Sequence, residues 1–301
     1  MTFRHRSVLT VRSAARSVVL PATLLVASLV VASAPTGSSA VAPGAGTAAP
    51  AGVGAATDRR ADALAPCRMK PNMTNTGASG TLRSSSRTVL GDGARLKNAH
   101  VSELMITGTD VRVTNVRVDG ALDILGENVR LKRVTAPGVG ISSAVNVLVA
   151  KSNIGYSPAD GIHVTSDGDR LVRNVVLRYN LVHHPEAPPE SHYDGTQVRG
   201  VDGMVIRCSV YRAGPFQETM NANIFLENAN GGVSDVTIAR NWLYGSAWSV
   251  MISADSARLV GNRVGGDPHW GYCYLSSGKD SIEASGNKTT GGRRVRLCGE
   301  G

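Results

Sequence analysis

From residue 94 onward the chain repeats an eight-residue pattern: aliphatic or small residues at positions one and three, often Asn or a small residue at six, usually an aliphatic at eight. Residues 111–118 read VRVTNVRV, 175–182 VVLRYNLV, 236–243 VTIARNWL and 257–264 ARLVGNRV. Copies begin at Ala94, Val111, Val129, Val147, Val175, Met204, Val236, Ala257 and Ile282. Between them runs a second alternating segment: Gly161-Ile162-His163-Val164-Thr165, Gly195-Thr196-Gln197-Val198-Arg199, residues 223–227 and residues 249–253. Alternation of period two with β-branched enrichment predicts strands, and its recurrence every 20-odd residues predicts stacked coils. The expected fold is all-β, a single-stranded solenoid of about nine coils. Abundant Gly and the lack of a 3.6-residue period argue against helical repeats.

Stacking fixes which residues become neighbours. Ile162, Val164, Thr196, Val198, Ile224, Leu226, Val250 and Ile252 are expected to point inward. One outward column is expected to run Asp123, Ser142, His163, Gln197, Phe225, Met251, and the next to include Thr165, Arg199, Glu227 and Ser253. Asn180, Asn241, Asn262 and Asn287 share position six, where an inward amide can bond the equivalent turn of the next coil. Open ends of a solenoid need covers. Residues 67–93 and the region of Cys273 and Cys298 are the expected ones.

The first 66 residues differ in kind. Residues 1–40 read as a secretory signal: basic start, apolar stretch from Leu20 to Val31, and small residues ending at Ala40. Residues 41–66 form a linker in which seventeen of 26 are Ala, Gly or Pro. The folded domain is expected over 67–301, with no membrane span once the leader is removed. The formal charge of +9 weakens in the same way. Arg4, Arg6, Arg12 and Arg16 lie in the leader; removing these four from 32 Lys+Arg leaves 28 against 23 Asp+Glu, about +5. That excess, without dense basic runs, gives no case for nucleic acid. Export permits disulfides, and four Cys allow three pairings. Cys273 with Cys298 is favoured, which leaves Cys67 with Cys208 and requires the N-terminal segment to lie along the side of the fold.

The three longest repeat spacings are consecutive, and their extra residues fall at 155–160, 183–194 and 212–222. Stacked coils would set these inserts side by side as a wall beside the second sheet, the expected site for a ligand. Beside the wall the register predicts a polar patch of His163, Gln197, Arg199 and Glu227. The segment from His183 through His184, Glu186, Glu190, His192, Tyr193 and Asp194 to Arg199 is the densest in chemistry. Asp194-Gly195 and Asp160-Gly161 also fit a tight turn into a strand.

Coil length, the Asn positions and Gly-punctuated turns over about residues 90–290 resemble the right-handed parallel β-helix proteins of the pectin-lyase-like superfamily. The His-x-Asp-Gly-x-Gln segment at 192–197 is similar to Asp-Gly segments of carbohydrate-active β-helix proteins. The resemblance implies an extracellular polysaccharide as partner, with lyase-like or epimerase-like chemistry on an acidic glycan as the first expectation. Proton abstraction beside a carboxylate needs charge neutralisation and a base. Arg199 suits the former, through its planar fork. His192 or His163 suits the latter, with Tyr193 as an acid. Gln197, Glu227, Glu218 and Trp248 complete the candidate substrate contacts. Hydrolysis would instead need two facing carboxyl groups, Asp194 with Glu227 or Glu218; no paired-Asp motif is present. No cofactor is required, calcium on Asp160, Asp194 and Glu227 stays open, and zinc on His183, His184, His192 and Asp194 is a chemical alternative. Trp248 belongs to a late aromatic group with Trp242, Trp270, Tyr272 and Tyr274, readable as sugar stacking or as end packing. A non-catalytic glycan-binding module and a purely structural rod are the rival functions.

Overall fold

A computed structural model describes residues 65–167 and 170–298. The predicted leader and nearly all of the linker lie outside the described residues. The alternating segments are strands, all paired in parallel between consecutive coils. The repeat starts fall in one register, Val147 opposite Val175, Val175 opposite Met204, Met204 opposite Val236, Val236 opposite Ala257 and Ala257 opposite Ile282. One sheet has nine strands, running from Val89–Leu90 to Gly271–Ser277; it includes Ile162–Thr165, Thr196–Arg199, Ala222–Glu227 and Trp248–Ser253. The other sixteen strands make two further faces that meet at Arg130–Ala136, a strand long enough to serve both. The chain is a right-handed parallel β-helix. Among the described residues its one helical element is the 3-10 turn Lys279–Ser281.

Alternation decides the interior. Ile162, Val164, Thr196, Val198, Ile224, Leu226, Val250 and Ile252 are all wholly buried, as expected from the pattern. The outward column needs one correction. His163 lies opposite Gly140, and Ser142 opposite Thr165, so Ser142 belongs to the Arg199 and Glu227 column. The single-residue tally across 123–142 missed the offset because Gly140 carries no side chain to mark its face. A Cβ at Gly140 would collide with Asp123 Oδ1.

The position-six ladder is continuous from Ser152 to Asn287, with Ser in place of Asn at 152 and 209. Asn180 Oδ1 accepts the Ser152 N–H at 2.9 Å, Asn241 Oδ1 accepts from Ser209 at 2.9 Å, and Asn262 Oδ1 accepts from Asn241 at 3.0 Å. Each amide nitrogen donates to a backbone carbonyl one coil away, Asn241 to Ile206 and Asn262 to Ile238. These groups are buried, so replacing Asn241 by Leu strands an N–H and a carbonyl without water. The expected loss is about 2–3 kcal/mol in urea unfolding; a change below about 0.5 kcal/mol would show that the ladder is dispensable.

Both predicted disulfides form, Cys67 with Cys208 and Cys273 with Cys298. Residues 67–80 lie along the flank: the Arg68 N–H meets Tyr179, Gly77 N–H meets the Lys151 carbonyl, and Ser79 N–H meets Asn115. This corrects the expectation that 67–93 shields the first edge. Residues 83–93 do reach it, through Arg83–Ser84, Val89–Leu90, the Ser85 N–H on the His100 carbonyl and the Gly93 N–H on that of Thr109, while the tie to Cys208 holds the earlier residues beside later coils. At the other end Leu297 and Cys298 are buried against the last coils.

Candidate functional site

The inserts stand side by side. The Glu186 N–H donates to the Ser157 carbonyl, and Tyr193 N–H to that of Thr219, joining first insert to second and second to third. Phe216 of the third stacks on His269 at 4.0 Å, which extends the wall by a further coil. Between wall and sheet lies a groove of about 540 Å³, lined by Asp160, His163, His192, Gln197, Arg199, Asn221, Phe225 and Glu227 among others. It adjoins a second hollow of about 660 Å³ over the preceding coils, and Asp160 and His163 line both.

Asp160, read from the sequence as a turn residue and a calcium candidate, is the hub. Its column on successive coils is Asp160, Asp194, Ala222, Trp248. Asp160 Oδ1 accepts the Asp194 N–H at 2.8 Å, and Asp194 Oδ1 accepts the Ala222 N–H at 2.9 Å. The two carboxylates are thus rungs of one backbone ladder. Their following glycines are needed for space: a Cβ on Gly161 would sit 2.7 Å from the Gly195 carbonyl oxygen, and one on Gly195 2.5 Å from that of Asn223. The other Asp160 oxygen lies 2.8 Å from His163 Nδ1. A carboxylate there fixes the imidazole proton on Nδ1 and leaves Nε2 with its lone pair. The signal for this pair was the repeated Asp-Gly-x-(His/Gln) spacing at 160 and 194.

Asp194 is wholly buried, and burial, then the Asp160 charge, pushes its carboxyl well above the usual carboxylate range. Its oxygens serve Ala222 and Asn221, so it supports the groove from beneath. Tyr193 is also buried, packed with Ala213 and Met220 under the wall, and its hydroxyl is held protonated by burial. That placement removes it from the groove surface, since the third insert packs over its ring. Glu218 is exposed in the third insert, outside the groove lining. The facing carboxyl pair that hydrolysis needs is therefore not assembled from Asp194 or Glu218.

Gln197 points to the wall side but is covered by its neighbours, with its amide 3.5 Å from Glu227. Arg199 Nε lies 2.9 Å from Glu227 Oε2, off the direction of its N–H, so the contact is one of charge. Both side chains are over a third exposed, and such a pair contributes little to stability. Trp248 lies farther along, packed against Tyr274 at 5.5 Å between ring centres.

One ligating atom each from Asp160, His192 and Asp194 lies within 4.8 Å of the others. Calcium takes six to eight oxygens; this triad offers the carboxylates of two residues beside one imidazole, and Glu227 is drawn to Arg199. The zinc set fails for a different reason: His183 is buried, its Nε2 donating to Asn153 Oδ1 and its Nδ1 meeting His184. The set splits in two, His183 with His184 and His192 with Asp194. Gly155 makes room for the His183 ring, since a Cβ there would be 2.5 Å from Cε1.

Burial, then the His184 and Arg212 charges, holds the His183 pKa down to about 4. As pH falls, the unfolded chain takes up that proton first, near 6.5. Stability from neutral His183 is thus full above pH 6.5 and lost between there and about 4. The raised Asp194 carboxyl has the opposite sign, so the test is a difference. Wild type minus His183→Gln, in unfolding free energy, is expected to shrink by about 3 kcal/mol from pH 7 to 4. A flat difference would mean that His183 is charged in the fold.

The architecture is that of a right-handed parallel β-helix. Among solved structures it is similar to an alginate lyase from Paenibacillus sp. str. FPU-7, with TM-score 0.42 and 14% identity over 68% of this chain and 88% of that one. It is also similar to a mannuronan C-5 epimerase A-module from Azotobacter vinelandii, with TM-score 0.36 and 10% identity over 68% and 76%. The catalytic domain of a GH87 α-1,3-glucanase follows at 0.31 and 9%, over 70% and 59%. Likeness at these levels concerns the winding of the chain. No family model and no curated protein matches.

Proposed function

We propose that the chain is an extracellular carbohydrate-active enzyme that removes a proton beside the carboxylate of an acidic glycan, in the manner of a lyase or epimerase. The observation that carries this reading is the Asp160–His163 pair at 2.8 Å, in a groove that Arg199 also lines. His163 Nε2 takes the proton as the C–H bond breaks, while the Arg199 fork neutralises the uronate carboxylate and the developing enolate. His192, with a ring nitrogen within 4.8 Å of Asp160, returns a proton to the opposite face or to the departing glycosidic oxygen in this reading. The leader-like start and two disulfides support an extracellular setting.

The pairing of Arg199 with Glu227 favours a second reading, a glycan-binding module without turnover. Incubation of the mature chain with polymannuronate, polyguluronate and polygalacturonate separates the two. Ultraviolet absorbance of an unsaturated uronate reports elimination, and uptake of deuterium from heavy water reports epimerisation. Retention on these polymers with neither signal identifies the binding module, and no signal and no retention overturns both.

A further inference from the structure

Away from the groove, on the face built by Arg95–Val101, Arg112–Val118 and Arg130–Ala136, cations stack on cations. Arg95 lies opposite Arg112, and Arg112 opposite Arg130, on three successive coils. Two residues along each strand the next column reads Lys97, Thr114, Lys132. All five basic side chains are exposed. Like charges directly opposed on neighbouring strands are destabilising, so folding alone gives no reason for this arrangement. Nor are the charges neutralised internally. Arg95 spends its Nη1 on the Gly93, Ala94 and Asp110 carbonyls, and among the described residues Arg112 and Arg130 make no ion pair. Arg112 and Arg130 line a cleft of about 430 Å³ with Arg95 and one carboxylate, Asp110, which makes no ion pair with them, and an adjoining cleft of about 640 Å³ with Lys132 and Lys151.

We infer that this face is a second binding site, for a carboxylate-bearing polysaccharide lying along the rod axis across the arginine rungs. The rungs repeat at the strand spacing of about 4.8 Å, the same order as the one-carboxylate-per-ring repeat of a polyuronate chain. Each guanidinium fork can take a carboxylate through two nitrogens. A single-stranded nucleic acid would call for a series of aromatic faces among the cations; the two columns hold none, and the adjoining cleft has Tyr179 alone, its hydroxyl accepting the Arg68 N–H. A lipid surface would call for exposed apolar side chains beside them, and the two columns over these three strands hold none. The site is independent of the groove, and it stands whether or not the groove turns a substrate over.

The test uses the full chain in a His163→Ala, Arg199→Ala background, so that the groove neither consumes nor holds the probe. Labelled polygalacturonate is titrated against this protein, against a version carrying Arg95→Ser, Arg112→Ser and Arg130→Ser, and against one losing equal charge elsewhere through Arg87→Ser, Arg263→Ser and Arg293→Ser. The ladder version is expected to bind at least about tenfold more weakly at low salt, the control version within about twofold of the parent. The ladder version's thermal midpoint is expected to stay level or rise as repulsion is relieved, and the single change Arg112→Glu gives a second version that keeps the backbone untouched. Equal weakening in ladder and control versions, or no binding of polygalacturonate at low salt, overturns the proposal. So does ladder-dependent binding that is tighter to single-stranded DNA or to phosphatidylglycerol vesicles than to polygalacturonate.

Discussion

Replacing His163 by Ala is expected to lower turnover of a uronate polymer by about 10²- to 10⁴-fold, the range that a positioned general base supplies. Binding of the polymer should change far less, because Arg199, Gln197 and the wall remain. Asp160→Asn gives the sharper test. The carboxylate holds the Asp194 N–H with one oxygen and His163 Nδ1 with the other. An Asn that keeps its oxygen on the backbone N–H must turn its NH₂ toward Nδ1. That donor forces the imidazole proton onto Nε2 and removes the lone pair that would accept the substrate proton. Asp160→Asn is therefore expected to lose nearly as much activity as His163→Ala, with the fold kept, and the double variant no more than either single one. Retained activity in both, with loss in His192→Ala, would move the base to the wall.

The winding was legible because burial has a period of two and the coil a period of 20-odd residues, and both leave marks in side-chain type. The nine repeat starts and the inward residues follow from those marks. Single glycines broke the reading where it broke: Gly140 hid the offset that places Ser142 in the other column. The site was legible as a neighbourhood. His163, Gln197, Arg199 and Glu227 were brought together by register alone, which strand alternation encodes. Depth was not encoded. Tyr193 and Asp194 have the side chains of a site, yet the wall folds over them, and a loop without periodicity carries no signal of which way each residue faces. Asp160 was undervalued because its partners, the Asp194 N–H and the His163 ring, depend on how coils stack in space.

Breaking the Cys67–Cys208 link is expected to cost more stability than breaking Cys273–Cys298. The first closes 141 residues and the second 25. Loop-closure entropy puts these at roughly 5 and 3.5 kcal/mol. Topology adds to the difference. In a solenoid each coil touches only its neighbours, so coils far apart are coupled through every coil between them. The flank of residues 67–80 is an exception: it touches Tyr179, Lys151, Thr135 and Asn115 on successive coils and is anchored at Cys208. Without the anchor a few hydrogen bonds must hold it, and the end coils are free to open separately. The double variant Cys67→Ala with Cys208→Ala is therefore expected to unfold at lower urea and over a broader range, with backbone and Trp signals no longer coincident. Cys273→Ala with Cys298→Ala should shift the midpoint less and keep a single transition. Equal shifts in the two variants, or a loss below about 1 kcal/mol for the first, would mean that the flank is held by its own contacts and that the staple couples nothing.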